Sequence, residues 1–191
     1  MLRITAKQQL MREIVDILSV LTSEAKLVWG EKGLSISVVD GSHVALLSAT
    51  IADECFETYE VEPVEIGLDL QKMRDLLTLA GPSDLVEMDY DDAVGAINVR
   101  VGEVLMILRG IDTSTMDNPN QPNLEFKSKA TIGSEKLSRA LRAAKFVGGE
   151  VDLSMDKNQL AVSVTVEAGE GVNVKFLSLI HISEPTRQPN I

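Results

Sequence analysis

Apolar residues recur at helical spacing in three segments, and this pattern predicts three helices over residues 5–21, 69–80 and 134–147. Residues 5–8 form a capping-box pattern before the first helix, and Asp69 and Ser134 are residue types suited to cap the second and third. The apolar positions are Leu10, Ile14, Ile17 and Leu21 in the first helix, Leu70, Met73, Leu77 and Ala80 in the second, and Leu137, Ala140, Leu141 and Ala144 in the third.

Short strand-like runs precede and follow each predicted helix. They are residues 2–5, 64–68 and 128–132 before the helices, and the pairs 27–29 with 34–39, 85–90 with 96–101, and 151–155 with 160–166 after them. The unit strand, helix, strand, turn, strand therefore occurs three times, with the first and third copies about 127 positions apart. Sequence identity between the copies is low, so this is a repeat of pattern and not proof of duplication.

The repeat predicts the domain organisation. Two copies per domain place a complete first domain at residues 1–110 and the first half of a second domain at residues 127–176. Between them, residues 111–126 are rich in Asp, Asn, Thr and Pro, a composition typical of a long extended connector. Strand pairs combined with a few helices on one face predict an α+β fold with antiparallel sheets.

One segment carries a more specific signal. Residues 33–46 read GLSISVVDGSHVAL, a strand followed by a turn. This segment resembles the strand-and-turn signature of the proliferating cell nuclear antigen (PCNA) family of DNA sliding clamps, most of all its archaeal members. Residues 22–25, 56–59 and 66–70 also stand where that family has similar segments, and the resemblance covers about residues 2–176 in order. It implies the DNA-clamp fold, with the second clamp domain incomplete.

Residues 177–191 do not continue this resemblance. They match the translation of a common transposon-end sequencing adapter, which predicts a non-native tail in which His181 has no functional meaning. We therefore expect a C-terminally truncated clamp subunit. Because the third helix then lacks a partner module, the chain as printed is expected not to form a stable ring.

Composition restricts the classes of function. The 191 residues are 45% hydrophobic, which suffices for a packed core, and no apolar run approaches the roughly 20 residues of a membrane span. The single cysteine excludes an internal disulfide, and the sequence has no phosphate-binding loop, His-Glu-x-x-His helix or Cys/His cluster. We expect a cytoplasmic protein with no cofactor, no bound metal and no catalytic residues, and the resemblance implies that it is associated with the nucleoid. The alternative is a metal-dependent enzyme using Asp89, Asp91 and Asp92, although a solvated hairpin turn explains the same carboxylates.

The formal net charge of −11 argues against nucleic-acid binding until its distribution is considered. The three predicted helices hold eight basic and five acidic residues, whereas the rest of the chain holds 10 basic and 24 acidic residues. The resemblance implies that these helices line a central hole and face DNA phosphates, although Asp75 and Thr78 stand where eukaryotic members often carry lysine. The alternative is an ordinary solvated helix face. The predicted DNA-binding residues are Lys7, Arg12, Lys72, Arg74, Lys136, Arg139, Arg142 and Lys145.

The resemblance implies a second site beside the connector. Val39, His43, Leu46 and Met116 match the pocket by which sliding clamps take the hydrophobic plug of client peptides. The alternative for the first three is a strand and turn packed on the core. Where members often carry a second apolar connector residue this sequence has Asn118, a departure that predicts a weaker or altered pocket.

The resemblance implies a DNA polymerase processivity factor and not an enzyme. Three identical subunits are expected to close head to tail into a ring around double-stranded DNA, joined through residues 104–111 of one subunit and 171–176 of the next. The ring is expected to tether DNA polymerase, clamp loader, flap endonuclease and DNA ligase through client peptides, with no membrane partner. A checkpoint-type clamp subunit or one member of a heterotrimer shares all of these sequence features.

Overall fold

The computed structural model describes residues 1–116, 119, 129–147, 150–156, 159–165, 171–177 and 180–181. The chain divides into two compact units, the N-terminal unit (Met1–Pro122) and the C-terminal unit (Asn123–Ile191). The domain boundaries at residues 110, 126 and 176 remain predictions. Among the described residues, no helix is long and apolar enough to cross a membrane.

The described part of the N-terminal unit consists of two antiparallel sheets and two α-helices. In chain order the elements are β1 (Leu2–Lys7), α1 (Gln8–Leu18), β2 (Glu24–Gly30), β3 (Gly33–Val39), β4 (Leu46–Ala52), β5 (Thr58–Val61), β6 (Val64–Asp69), α2 (Leu70–Leu77), β7 (Leu85–Asp91), β8 (Ala96–Val101) and β9 (Val104–Arg109). The sheets have the orders β5-β1-β7-β8-β9 and β4-β3-β2-β6. The strand before each helix joins the sheet of the other half, because β1 pairs with β7 and β6 pairs with β2. The two halves of this unit therefore interlock.

The predicted capping box at the start of the first helix is wrong. Residues 5–7 continue β1, α1 begins at Gln8, and Lys7 in the N-cap position makes no side-chain cap. The loop after α2 satisfies the first turn instead, since the Gln8 N–H donates to the Asp84 carbonyl at 2.8 Å. The buried Gln8 side chain also donates to the Leu77 carbonyl at the end of α2, at 2.7 Å. Contacts between distant segments thus replace a local cap.

The apolar face of α1 is displaced from its predicted position. Met11, Val15 and Leu18 are buried, whereas Ile17, predicted to face inward, is 52% exposed. The other predicted positions, Leu10, Ile14 and Leu21, are half-buried and flank the core. The apolar arc of α1 is wide because the helix packs against both α2 and the strands, so spacing alone does not identify its centre.

The second helix begins as predicted. The Asp69 carboxylate accepts the Lys72 N–H at 3.0 Å, which is the geometry of an N-cap. Buried residues of α2 and α1 join strand residues of both sheets in one hydrophobic core. The predicted inward residue Ala80 lies beyond the end of α2 at Leu77 and packs against that core.

The start of the connector is held against β6 by a close backbone approach. The Ile111 N–H donates to the Gly67 carbonyl at 2.9 Å, and a Cβ atom on Gly67 would overlap the Ile111 carbonyl. Further along, the Ser37 hydroxyl of β3 donates to the Pro119 carbonyl at 3.1 Å. These two contacts place the described connector residues beside β2, β3 and β6. Asn118 lies outside the described residues.

The described part of the C-terminal unit has the element order of the first half of the N-terminal unit, a strand, a helix and four strands, whereas the second half has one strand fewer. The elements are β10 (Lys129–Ala130), α3 (Ser134–Val147), β11 (Val151–Asp156), β12 (Gln159–Thr165), β13 (Gly171–Leu177) and β14 (Ile180–His181). Strands β11, β12 and β13 form one antiparallel sheet, and β10 pairs with β14. Strand β14 falls within the segment predicted to be a non-native tail, of which residues 178–179 and 182–191 lie outside the described part.

Helix α3 packs on β12 and β13 through small residues. Ala140 and Ala144 are buried, as predicted, and Leu137 is half-buried. The prediction was wrong for Leu141, which is 41% exposed, and Phe146 is 92% exposed. The physical reason is that no second helix packs beside α3 within the described range, so one flank of its apolar face is open.

The predicted α+β class with antiparallel sheets is confirmed. Three of the described strands, β4, β5 and β14, were not predicted. Strand β4 carries half-buried Leu47, Ala49 and Ile51 at every second position, a two-residue period that its sequence displays.

Candidate functional sites

The predicted DNA-binding residues of the N-terminal unit all have acidic partners. Lys7 Nζ lies 3.7 Å from Glu57 Oε1, and Lys72 Nζ lies 3.0 Å from Asp69 Oδ2. The Lys72 backbone N–H and its ammonium group lower the pKa of Asp69, so this carboxylate stays charged beside the lysine. Both lysines are largely exposed, so these pairs contribute little stability. They nevertheless reduce the positive field of the helices.

Arg12 and Arg74 share one carboxylate. Arg12 Nε donates to Asp16 Oδ2 at 3.1 Å along α1, and Arg74 Nε of α2 donates to Asp16 Oδ1 at 3.0 Å. The three side chains are each between 32% and 45% exposed. The pair of Arg12 with Asp16 is visible in the sequence as an i,i+4 spacing. The second pair is not, because it depends on how α1 and α2 pack.

The cations of α3 differ from those of the first two helices. Lys136, Arg139, Arg142 and Lys145 follow one another at every third position, and all four are exposed. Within the described ranges none of them lies within ion-pair distance of an acidic side chain; Arg142 Nε donates to the Ser138 carbonyl at 3.4 Å. Helix α3 therefore presents a ladder of four positive charges to solvent, with Glu135 as its one acidic residue.

A cleft of about 260 Å³ opens beside the connector. It brings together two of the predicted peptide-binding residues, Val39 and Met116. The remaining lining is mixed and comes from the turn before β2, from β2 and β3, and from described residues of the connector: Thr22, Glu24, Lys26, Ser37, Val38, Ile111, Thr115 and Pro119. His43 and Leu46 do not line this cleft.

Leu46 instead lines an apolar groove of about 520 Å³ between the end of α1 and the start of β4. Leu46 is the direct cross-strand partner of Val39, so the two side chains lie on the same face of the β3–β4 hairpin. The groove also contains Ile17 and Val20, which are exposed and were not predicted as site residues. The remaining lining residues are Leu21, Ala45, Leu47 and Ser48.

Asp40 organises the turn that contains His43. Its carboxylate accepts the Val44 N–H at 2.8 Å, the Ala45 N–H at 2.7 Å, and both the N–H and the hydroxyl of Ser42. The hydrogen bonds from the Ser42 hydroxyl and the Ala45 N–H hold the pKa of Asp40 well below its usual range. His43 adopts a left-handed φ of 57° within this turn. Asp40 was not predicted as a site residue, although an Asp followed by Gly and Ser is a recognised turn signal.

The carboxylates of the alternative metal site have structural roles in the β7–β8 hairpin. Asp89 accepts the Asn98 side-chain amide across the hairpin at 3.0 Å, and Asp91 accepts the Ala93 N–H at 3.0 Å in the turn. Asp92 is an exposed residue of the same turn. In the part of the chain that the structure describes, no three His, Cys, Asp or Glu side chains lie close enough together to hold a metal ion.

Comparison with known protein families assigns the chain. A family model described as the N-terminal domain of proliferating cell nuclear antigen matches residues 1–104, more than half of the chain. The chain belongs to the PCNA family of sliding clamps. Two of its relatives are named DNA polymerase sliding clamp. The protein from Methanocorpusculum labreanum is 28% identical over 176 residues, which cover 92% of this chain and 71% of the relative. The protein from Methanothrix thermoacetophila is 31% identical over 156 residues, which cover 81% of this chain and 64% of the relative.

Solved structures of the PCNA family have the same fold. The structure is similar to A. fulgidus PCNA, solved with the C-terminal region of FEN-1 bound, with a TM-score of 0.87 and 25% identity over 95% of this chain and 76% of that one. PCNA from Thermococcus kodakaraensis gives a TM-score of 0.86 at 19% identity, over 96% and 78% of the two chains, and supports the fold alone. The chain spans between 64% and 71% of the length of the first three curated relatives it matches.

Proposed function

We propose that this chain is a sliding-clamp subunit that helps to encircle double-stranded DNA and acts as a DNA polymerase processivity factor. The observation that carries the proposal is the cation ladder of α3, the residues Lys136, Arg139, Arg142 and Lys145, in a chain of net charge −11. An acidic outer surface repels DNA while exposed cations attract phosphates without reading bases. Such interactions permit sliding. Because the partner is duplex DNA, we place the protein with the nucleoid in the cytoplasm.

Ring assembly is proposed through strand edges. Within the described sheets β9 and β13 are edge strands, and Val104, Leu105 and Ile107 of β9 are exposed apolar residues. Pairing of β9 in one subunit with β13 in the next covers both edges and gives a head-to-tail interface that makes a ring when the rotation closes. We propose a homotrimer for the complete protein. Co-expression with related subunits separates this from a heterotrimeric or checkpoint-type clamp, because those assemblies contain at least two different chains.

The peptide site is proposed on the face that carries the cross-strand pair Val39 and Leu46. Met116 lines the same cleft as Val39, and the turn held by Asp40, which contains His43, joins the two strands that carry this pair. A. fulgidus PCNA was solved with a FEN-1 segment bound. We therefore propose flap endonuclease, DNA polymerase, clamp loader and DNA ligase as client proteins, each tethered by a peptide whose apolar residues fill this site. Tethering raises the local concentration of each enzyme at the template.

DNA attraction is tested by replacing the four cations of α3 with alanine. Alanine is the best helix former, so the helix is retained while four positive charges are removed. Binding to a fluorescein-labelled duplex, followed by anisotropy at low salt, should weaken by at least about tenfold. The control replaces exposed basic residues that lie outside the helices and outside the proposed β9 edge, Arg3, Lys32 and Arg100, and the losses are compared per charge removed. Equal losses per charge in the two variants would mean that affinity depends on net charge alone, and would contradict the proposal that α3 faces DNA.

The peptide site is tested by Met116→Glu and Leu46→Glu. Each places a carboxylate where an apolar plug is proposed to pack, and the desolvation cost should lower the affinity of a peptide with one aliphatic and two aromatic anchors by at least about tenfold. Leu79→Glu serves as the control, because Leu79 is exposed just after α2 and lines neither the cleft nor the groove. Unchanged affinity in both site variants would place the peptide elsewhere.

A further inference from the structure

The clearest unexplained arrangement in the N-terminal unit is the carboxylate of Asp16 between two arginines. Its Oδ2 atom accepts Arg12 Nε and its Oδ1 atom accepts Arg74 Nε, at 3.1 and 3.0 Å. One carboxylate therefore binds two guanidinium groups on neighbouring helices. In each pair the donor atom is the Nε of the arginine. Both hydrogen bonds to Asp16 come from Nε atoms, which leaves the terminal amino groups of the two guanidiniums as donors that can meet a phosphate.

The ion pairs are not what holds α1 to α2. Met11 and Val15 of α1 and Met73 of α2 are almost fully buried in the common core, and the Gln8 side chain donates to the Leu77 carbonyl at 2.7 Å. These interactions join the helices independently of Asp16. The carboxylate also lies at the surface, where a single ion pair contributes little to stability. Stabilising the contact between α1 and α2 therefore does not explain why Asp16 binds both arginines.

We propose that Asp16 is a built-in counter-ion that competes with DNA phosphates for Arg12 and Arg74 and so weakens the grip of the N-terminal unit on duplex DNA. This inference rests on the proposed function. Two positive charges and one negative charge leave a net charge of one on this cluster, half of what the arginines carry alone. The four cations of α3 have no such acid within ion-pair distance in the described part of the chain.

The chain offers a matched control on the neighbouring helix. Asp75 of α2 is exposed and its carboxylate accepts the Gln71 side chain at 2.7 Å, with no basic partner among the described residues. Asp75→Asn therefore removes the same charge as Asp16→Asn without freeing an arginine. A third variant, Asp16→Asn combined with Arg12→Ala and Arg74→Ala, is compared with the double alanine variant to show whether the effect passes through the arginines.

The first measurement is independent of DNA. In the intact chain, the Nε–H proton signals of Arg12 and Arg74 should show slowed solvent exchange, and Asp16→Asn should remove that protection while Asp75→Asn retains it. Fast exchange in the unmodified chain would mean that the shared ion pair does not form in solution and would overturn the inference directly, whatever the protein does with DNA.

The second measurement is binding to a fluorescein-labelled duplex as a function of salt. We expect Asp16→Asn to tighten binding about two- to tenfold at low salt and to steepen the salt dependence by about 0.9 for each additional phosphate that the freed arginines neutralise. Asp75→Asn should change affinity by less than about twofold, and the Asp16 effect should vanish in the double alanine background. Equal effects of the two Asn variants, or weaker binding by Asp16→Asn, would overturn the counter-ion role. Protected Nε–H signals in a chain that binds no duplex would overturn the proposed function, and the inference with it.

Discussion

The helices of the two units differ in what covers them. In the N-terminal unit α1 and α2 lie against each other, and residues such as Val15 and Leu76 are 1% exposed. In the described C-terminal unit α3 packs on strands on one side, and Leu141 and Phe146 are left exposed. Each half of the N-terminal unit gives its first strand to the sheet of the other half. A single strand–helix–strand unit therefore buries one flank of its helix, whereas the interlocked pair buries both.

The same units differ in how their cations are balanced. In the N-terminal unit, every basic residue that was predicted to face DNA has a carboxylate within ion-pair distance. The four cations of α3 have no such carboxylate in the described part of the chain. Counting basic residues therefore overestimates the attraction of the N-terminal helices for phosphate. The more loosely packed helix carries the stronger field.

The difference in helix packing should produce the greatest change in stability. Leu76→Ala removes a buried leucine from the common core of the N-terminal unit and should lower its free energy of unfolding by about 2–5 kcal/mol. Leu141→Ala on α3 should cost less than about 1 kcal/mol, because that side chain is already partly in water. Urea denaturation measures the first through the fluorescence of Trp29, the one tryptophan, and the second through far-UV circular dichroism. Equal costs would mean that α3 has a partner in solution.

A smaller effect is expected where the connector meets the N-terminal unit. Gly67→Ala places a methyl group against the Ile111 carbonyl, so the backbone must shift, at a cost of about 1–3 kcal/mol. Gly30→Ala is the control, since its Cβ atom would meet only the Gly33 carbonyl, at 3.9 Å, and it should change stability by less than about 0.5 kcal/mol. Urea midpoints and peptide affinity are compared in both variants. If Gly67→Ala leaves both unchanged, the connector is not held by this close approach.

A still smaller and local effect concerns the Asp40 turn. Because hydrogen bonds lower the pKa of Asp40 in the folded chain, its contribution to stability is present above the unfolded pKa near 3.8 and is lost as pH falls through the lower folded value. The amide signals of Val44 and Ala45 should therefore titrate at a pH clearly below 3.8. Asp40→Asn should abolish this titration. A transition at the ordinary aspartate pKa would show that the turn is open in solution.

Much of the fold follows from local pattern in the sequence. The spacing around Met73 identifies α2 and its cap at Asp69, and the alternating residues of β8 give its limits without correction. The start of α1 was misplaced because its first N–H groups bond to a loop more than 70 residues away, which no local signal records. The exposure of Leu141 likewise depends on what lies beside α3 in space and not on the sequence of α3.

The candidate sites also contain some residues that local sequence pattern identifies and others that depend on the packing of distant segments. The cations of α3 are visible in sequence because they lie between the apolar positions of the helix and because charged side chains are seldom buried. The pairing of Arg74 with Asp16 depends on the packing of two helices, and sequence spacing is silent about it. Val39 and Met116 were predicted together through the family resemblance, and the structure brings them to one cleft, while Leu46 lies in a neighbouring groove. Ile17 was missed because its helical spacing predicted burial, and Val20 was missed because it is not one of the apolar positions at that spacing.

The salt dependence of duplex binding in two double variants decides which helix cations attract DNA. Arg139→Ala with Arg142→Ala removes cations that have no acidic partner among described residues, and should make the slope of log affinity against log salt shallower by about 0.9 for each phosphate that is no longer neutralised. Arg12→Ala with Arg74→Ala removes the same charge from the cluster that Asp16 already balances, and should change the slope less. An unchanged slope in the α3 variant, or a larger change in the α1–α2 variant, would contradict the claim that the unpaired cations of α3 dominate the attraction to DNA.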